Sequence, residues 1–123
     1  MSGNIRVNYR RLGENKEHKA ESFLKAKGVR IIARNFRSRN GEIDLIGYDG
    51  EYLVFFEVKY RGGCTAGSSL EAVDFRKQMR ICKTSDYFRA VRKIDINQSI
   101  RYDVIGIDNE NISWIKNAFE YHG

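Results

Sequence analysis

The sequence predicts a single domain of the α/β class, in which helices pack against a mixed sheet. One helical pattern precedes three consecutive strand patterns, and a second helical pattern separates them from two further strands. This αβββαββ order is typical of a sheet covered by helices, an α/β or α+β sandwich. The length of 123 residues is that of one domain, so residues 1–123 are expected to form a single folding unit.

The two helices are predicted from apolar periodicity and from the residues that begin and end them. The first runs from near Tyr9 to Lys27, and Gly28 is placed to end it. The second runs from Asp74, a good N-cap, to about Arg92. The buried side of this second helix is predicted to carry Ile81, Cys82, Ser85 and Phe88.

Five strands are predicted from short runs rich in β-branched and aromatic residues. Their ranges are 29–35, 42–48, 52–59, 100–107 and 112–115. Asp49-Gly50, between the second and third runs, is a strong signal for a two-residue hairpin turn. The second and third strands are therefore expected to be an antiparallel pair.

The hairpin turn predicts which side chains of this pair share a face. With Asp49-Gly50 as the turn, Asp44 faces Phe55, and Glu42 faces Glu57. Asp44 and Glu57 are then diagonal neighbours, about 7–8 Å apart at Cα, on one face. The opposite face is predicted to be core and carries Ile43, Leu45, Val54, Phe56 and Val58.

The carboxylates at the end of this buried face predict a metal site. Such a cluster is costly unless a cation pairs the charges or one group binds a proton. Mg²⁺ takes oxygen ligands and keeps several waters, so Asp44 and Glu57 suffice to bind Mg²⁺ or Mn²⁺. The metal would attract a phosphodiester and activate water. Lys59, on the same face, is placed to orient that water or to stabilise charge at phosphorus.

The alternative is a surface hairpin in which Glu57 and Lys59 are merely solvated. This alternative fits residues 52–59 (YLVFFEVK) badly, because hydrophobic residues on both faces are typical of a buried central strand. Charged residues that remain on a buried strand usually have a specific role.

Charge is segregated along the chain, which has a net charge of +6. Residues 1–40 have a local charge of +8, residues 41–60 of −4 and residues 61–93 of +5. Basic segments beside an acidic cluster favour a polyanion such as nucleic acid, although lysines and arginines that only solvate helix surfaces are the alternative. The candidate nucleic-acid-binding residues are Arg37, Arg61, Arg76, Lys77, Arg80 and Lys83.

Composition excludes several other kinds of protein. No apolar run is long enough to span a membrane, and the N-terminus lacks the apolar stretch of a secretory signal, so the cytoplasm is the expected compartment. Cys64 and Cys82 fit no zinc spacing and are expected to be buried or idle thiols. With only two histidines, a histidine-rich metal site is excluded.

The motifs around the acidic cluster carry a resemblance to a known family. GEIDLI (41–46) followed by LVFFEVKYR (53–61) closely resembles the YraN-like family of small bacterial proteins. That family is similar to archaeal Holliday junction resolvases and belongs to the PD-(D/E)xK nuclease superfamily. The resemblance extends over about residues 12–107 and implies a restriction-endonuclease-like fold, an αβββαβ core with a mixed sheet flanked by helices.

The resemblance also implies roles for individual residues. Asp44 and Glu57 would bind the metal, and Lys59 would be the catalytic lysine. A helix carboxylate is implied at Glu17, for which a solvated helix residue is the alternative. The family often has glycine where Lys16 stands, and the superfamily's proline before Asp44 is Ile43 here. DNA is favoured over RNA as the substrate, and branched DNA and a two-fold dimer are implied only through the similarity to resolvases.

Three functions remain open from the sequence. The first is a metal-dependent nuclease, the second a nucleic-acid-binding accessory protein with an unused site, and the third a protein-interaction domain. Lys77 could contact the substrate, or its stem could lie along the core.

Overall fold

The fold has the predicted order of helices and strands. The structure, a computed structural model, describes residues 9–60 and 73–123, and side chains from residue 18 onward within these ranges. The helices are α1 (Tyr9–Ala26) and α2 (Phe75–Val91). The strands are β1 (Arg30–Ser38), β2 (Gly41–Asp49), β3 (Tyr52–Tyr60), β4 (Ile100–Asp108) and β5 (Asn111–Ile115). Every strand boundary lies within three residues of its prediction.

The five strands form one mixed sheet in the order β1-β2-β3-β4-β5. β3 and β4 are parallel, and the other neighbouring pairs are antiparallel. A parallel pair needs a crossover connection, which α2 supplies between β3 and β4. The predicted α/β class with a mixed sheet flanked by helices is confirmed, and the architecture is consistent with a restriction-endonuclease-like core.

Both faces of the sheet are covered. On one face, Ala20 and Leu24 of α1 pack with Leu45, Val54, Phe56, Ile105 and Ile107. On the other face, Ile81, Cys82 and Phe88 of α2 pack with Ile46, Leu53, Phe55, Tyr102 and Val104. The predicted buried side of α2 is confirmed, and Ser85 is buried with it. Cys82 is a buried free thiol, whereas Cys64 lies outside the described residues.

The predicted helix ends are confirmed by their backbone hydrogen bonds. The carboxylate of Asp74 accepts the N–H of Lys77 at 2.8 Å, as an N-cap does. At the end of α1, Gly28 has a φ of 96°, and the N–H of Val29 donates to the carbonyl of Leu24 at 3.0 Å.

The predicted register of the β2–β3 hairpin is wrong by two residues. Asp49 pairs with Tyr52, so the turn residues are Gly50 and Glu51 rather than Asp49 and Gly50. Gly50 has a φ of 61°, a conformation that glycine adopts without the penalty of a Cβ. A shift of two keeps each side chain on its face, and it moves Asp44 from Phe55 toward Glu57.

The prediction that Ile43 lies on the same face as Leu45 is also wrong. Ile43 packs with Ile46 in the cluster under α2, so strict alternation is broken between them. Asn35, across from Asp44 in β1, has a φ of 49°, which is not a strand conformation. The distortion lets both Phe36 and Ile43 turn toward α2. Glu42 lies beside Arg37, with 3.7 Å between Oε1 and Nε, instead of joining Glu57.

An ion pair between a buried carboxylate and an exposed guanidinium attaches α1 to β1. The guanidinium of Arg34 donates two hydrogen bonds to the carboxylate of Glu21, which is 8% exposed, and Lys25 lies 3.0 Å from it. The hydrogen bonds from Arg34 are the largest cause of a lowered pKa of Glu21, which falls to about 2 from 4.5.

This pair predicts an acid-dependent loss of stability. Since the folded-state pKa lies below the unfolded one, ionised Glu21 stabilises the fold above about pH 4.5, and the contribution is lost as the pH falls toward about 2. Urea unfolding at neutral pH should therefore give a much lower free energy of unfolding for Glu21→Gln than for the parent protein. This difference should narrow at pH values under 4.5. Glu51→Gln, in the exposed hairpin turn, is the control. A gap that is constant with pH would contradict the prediction.

Candidate functional site

Asp44 lies where β2 and β3 separate. The ladder ends at the pair of Leu45 with Phe56, and one further step in the same register brings Asp44 opposite Glu57. Here Oδ2 of Asp44 accepts the backbone N–H of Val58 at 2.7 Å. A side chain thus takes the place of a backbone acceptor, and the Asp44 carboxylate is held against β3 beside Glu57.

Glu57 is a buried carboxylate paired with a lysine of the helix above it. It is 8% exposed, and its Oε2 lies 2.8 Å from Nζ of Lys77. This hydrogen bond is the largest cause of a raised pKa of Lys77; burial lowers that pKa, and the charges of Glu57 and Asp44 raise it. The Lys77 ammonium is therefore a cation attracted by both carboxylates. This role differs from both roles considered for Lys77 from the sequence.

Lys59 shares the face of Glu57. β3 pairs with β4 without a register shift from Leu53 to Tyr60, so alternation holds along this strand. Lys59 is half-buried, whereas Val58 between the two charged residues packs on the α1 side. Glu17 belongs to α1, but its side chain lies outside the described part of the chain. Arg61 lies wholly outside it. The predicted roles of these two residues therefore stay untested.

The donor set of this face fits a hard divalent cation. Among the side chains of residues 18–60 and 73–123, no group of three or more acidic, histidine or cysteine residues could hold a metal. Asp44 and Glu57 would supply two carboxylates, which suffice for Mg²⁺ because it keeps several waters. In this structure the Lys77 ammonium is the cation that pairs with Glu57.

The candidate nucleic-acid-binding residues that the structure describes are exposed. Arg76, Arg80 and Lys83 lie on one side of α2, as their spacing predicts. Arg37 lies at the end of β1, with its side chain 76% exposed. Arg80 also contacts the start of β2, where its Cβ is within 3.5 Å of the position a Gly41 Cβ would take. The basic side of α2 is therefore continuous with the β1–β2 turn.

Sequence reasoning missed a further buried carboxylate, Asp103 in β4. It is fully buried and accepts hydrogen bonds from Arg101, from the indole of Trp114 at 2.8 Å and from the N–H of Asn117 at 2.8 Å. Arg101 also donates to Asp49 at 2.7 Å. This network lies on the α1 face, away from Lys77, and joins β4, β5 and the end of β2. An acidic residue inside the apolar run RYDVIGI was the available signal.

The Arg101 network is held by mutual ionisation. The pKa of Arg101 is raised, chiefly by its hydrogen bonds to Asp103, and that of Asp49 is lowered, chiefly by its hydrogen bond from Arg101. Every donor and acceptor named here is used within the network, so its role is structural.

The two helices that the structure describes can be compared with the length and apolar character of a membrane-spanning helix. Neither α1 nor α2 is long and apolar enough to cross a bilayer.

Fold and site define the class of protein: a small α/β domain whose central hairpin carries Asp44, Glu57 and Lys59, with Lys77 of α2 paired to Glu57. The chain belongs to the family described as "Uncharacterised protein family UPF0102", whose model matches residues 16–107. Its similarity to members is high over nearly their whole length. A UPF0102 protein of Persephonella marina is 43% identical over 108 residues, 88% of this chain and 92% of that protein.

Two further relatives have the same family name. One from Lachnoclostridium phytofermentans is 41% identical over 111 residues, 90% of this chain and 94% of that protein. One from Clostridium acetobutylicum is 38% identical over 117 residues, 90% of this chain and 95% of that protein. The chain and these relatives therefore correspond over almost their full lengths.

Proposed function

We propose that this protein is a metal-dependent nuclease that hydrolyses phosphodiesters of DNA with Mg²⁺ or Mn²⁺. The observation that carries the proposal is the carboxylate pair of Asp44 and Glu57 beside the ammonium of Lys77. Buried charges are rare unless they are paired or bind a metal, and this pair lies on the central strands. The proposal includes membership of the PD-(D/E)xK superfamily and similarity to Holliday junction resolvases.

Asp44 and Glu57 would hold the cation, which when bound supplies charge neutralisation and an activated water. Val58 positions Asp44 through its N–H, so the carboxylate does not depend on the metal for its orientation. Lys59 supplies positive charge from the same face. Lys77 neutralises Glu57 when no metal is present, and metal binding would release its ammonium toward substrate phosphates.

The basic surface supports nucleic acid as the partner. Phosphate contacts from lysine and arginine give affinity that depends on salt and little on sequence. A nucleic-acid-binding accessory protein with an unused site is the second candidate, because the same exposed arginines on α2 would serve it. We propose the cytoplasm as the compartment for either activity, because it contains the DNA. A two-fold dimer and branched DNA stay predictions.

The metal site is tested by ligand-induced stabilisation. Mn²⁺ should raise the melting temperature, because it binds only the native state. At a concentration a hundredfold above its Kd, the added free energy of unfolding should be about 2.7 kcal/mol. Asp44→Asn should abolish most of this increase, although asparagine can still accept the N–H of Val58. Glu110→Gln, exposed in the β4–β5 turn, should leave it unchanged. An equal increase in Asp44→Asn would place the metal elsewhere.

Lys77 provides a variant with the opposite expected sign. Lys77→Met removes the ammonium that competes for Glu57, so calorimetry should find tighter binding of Mn²⁺ than in the parent protein. If Lys77→Met weakened the metal as Asp44→Asn does, Lys77 would be a support for the site rather than a competing cation.

A further inference from the structure

A basic cleft with an aromatic wall lies between the β1–β2 turn and α2. It has a volume of about 440 Å³ and is lined by Arg37, Ser38, Arg39, Asn40 and Tyr87. None of these described lining residues is acidic, and both arginines are exposed. Its volume is within the usual range for a small-ligand pocket, and its charge suits a phosphate.

Tyr87 forms a fixed aromatic surface in this cleft. Its side chain is 50% exposed, and its ring lies 5.9 Å from that of Phe36. Phe36 in turn packs edge-on against the buried Phe88 at 5.0 Å. The ring is thus anchored to the core, whereas half of it faces solvent. A rigid exposed ring beside cationic side chains is the usual combination for stacking an unpaired base.

The cleft is connected to the candidate site along α2. Arg76, Arg80, Lys83 and Tyr87 are spaced four, three and four residues apart, so they lie on one side of the helix. The β1–β2 turn closes against this helix, because the hydroxyl of Ser38 lies 3.1 Å from that of Thr84. Lys77, in contact with Glu57, lies at the other end of the same path.

The length of the path along α2 predicts how many nucleotides separate the cleft from the Asp44–Glu57 site. Ten residues separate Lys77 from Tyr87, which is about 15 Å along the axis of an α-helix. At 3.4 Å per nucleotide along a stacked strand, this corresponds to about four nucleotides. Lys83 and Arg80 lie between the two ends, where the intervening phosphates would pass.

We propose that this cleft binds an unpaired nucleotide of a DNA strand whose phosphodiester, about four nucleotides away, lies at the Asp44–Glu57 site. Tyr87 stacks on the base, and Arg37 and Arg39 bind its flanking phosphates. The inference rests on the proposed function and specifies its substrate: DNA with a single-stranded segment, rather than uninterrupted duplex.

The test compares two labelled DNAs in the presence of EDTA, so that binding is measured without cleavage. One is a blunt duplex, and the other is the same duplex with an overhang of about six nucleotides, within the usual length of single-strand sites. Fluorescence anisotropy should show the overhang bound more tightly. Tyr87→Ala should weaken the overhang complex by about 5- to 150-fold, the effect of losing one stacked base, and leave the blunt complex unchanged.

Two further variants separate stacking from packing. Tyr87→Phe keeps the aromatic face and should bind like the parent protein, whereas Tyr87→Leu keeps contact with Phe36 and should bind like Tyr87→Ala. A fluorescent adenine analogue in the overhang should be quenched by the parent protein and by Tyr87→Phe alone. Melting temperatures of all three variants check that the fold is intact.

The outcomes distinguish this inference from the proposed function. Equal affinity for both DNAs, or an overhang affinity that Tyr87→Ala does not change, would contradict nucleotide binding in the cleft. Neither result would contradict metal binding or cleavage at the Asp44–Glu57 site. Tyr87-dependent binding without cleavage of any substrate would support the cleft and select the accessory-protein function. Absence of any DNA binding would overturn both.

Discussion

Asp103→Ala should lower the free energy of unfolding by about 3–5 kcal/mol, the usual cost of removing one partner of a buried ion pair. The carboxylate is fully buried, and its removal leaves the Trp114 indole and the Asn117 N–H without their acceptor and deprives Arg101 of its hydrogen bonds to Asp103. Since domains are stable by only about 5–15 kcal/mol, this loss is a large share of the total. Urea unfolding monitored by circular dichroism measures it.

Two further variants define the origin of this effect. Glu110→Gln, in the exposed β4–β5 turn, should stay within about 0.5 kcal/mol of the parent protein. Asp103→Leu combined with Arg101→Met should cost less than the sum of the single variants, because each single change leaves the other residue without its partner in the Arg101–Asp103 pair. Additive losses, or an Asp103→Ala protein as stable as the parent, would show that the network contributes little.

Lys59→Ala should cut DNA at least about a hundredfold more slowly, the usual effect of losing one electrostatic stabiliser of a transition state. Lys59 lies two residues beyond Glu57 on the same face of β3, half-buried and next to the proposed metal position. Its charge would interact more strongly with the transition state than with the bound substrate. Such an interaction affects the rate and hardly affects affinity.

The experiment measures metal affinity, DNA affinity and cleavage rate separately. Calorimetry with Mn²⁺ and anisotropy with DNA should give nearly parental affinities for Lys59→Ala, while single-turnover cleavage of flaps, overhangs and four-way junctions should show the slow rate. Lys19→Ala, an exposed lysine on α1, controls for the loss of one positive charge. An unchanged rate would mean that the cleavage comes from another site or from a contaminant.

The structure bears out the elements and, except at Ile43, the faces predicted from local patterns, since these depend on residues close in sequence. The N-cap at Asp74 and the helix end at Gly28 are short-range hydrogen-bonding patterns, and both are present. Burial of residues 53–56 on both faces follows from the hydrophobic run of β3. The same pattern brought attention to Asp44 and Glu57 as a candidate site.

The details of that site depended on contacts that no local pattern contains. The turn at Gly50-Glu51 moved the register by two residues, because both Asp49-Gly50 and Gly50-Glu51 are acceptable two-residue turns. The break in alternation at Ile43 depends on Asn35, nine residues before Asp44 and on a different strand. The pattern of one strand carries no information about a distortion in its neighbour.

The sequence by itself determined the order of elements, the two buried faces and the carboxylates and lysine of the central hairpin, because side-chain period and turn chemistry act over a few residues. Only the tertiary structure decided that Lys77 pairs with Glu57, that Asp103 is the hub of a buried network and that Tyr87 meets the β1–β2 turn. Apart from Arg101 and Asp103, which are two positions apart on β4, these contacts join residues at least eleven positions apart or depend on how a helix is rotated against the sheet. Packing of the whole domain sets that rotation.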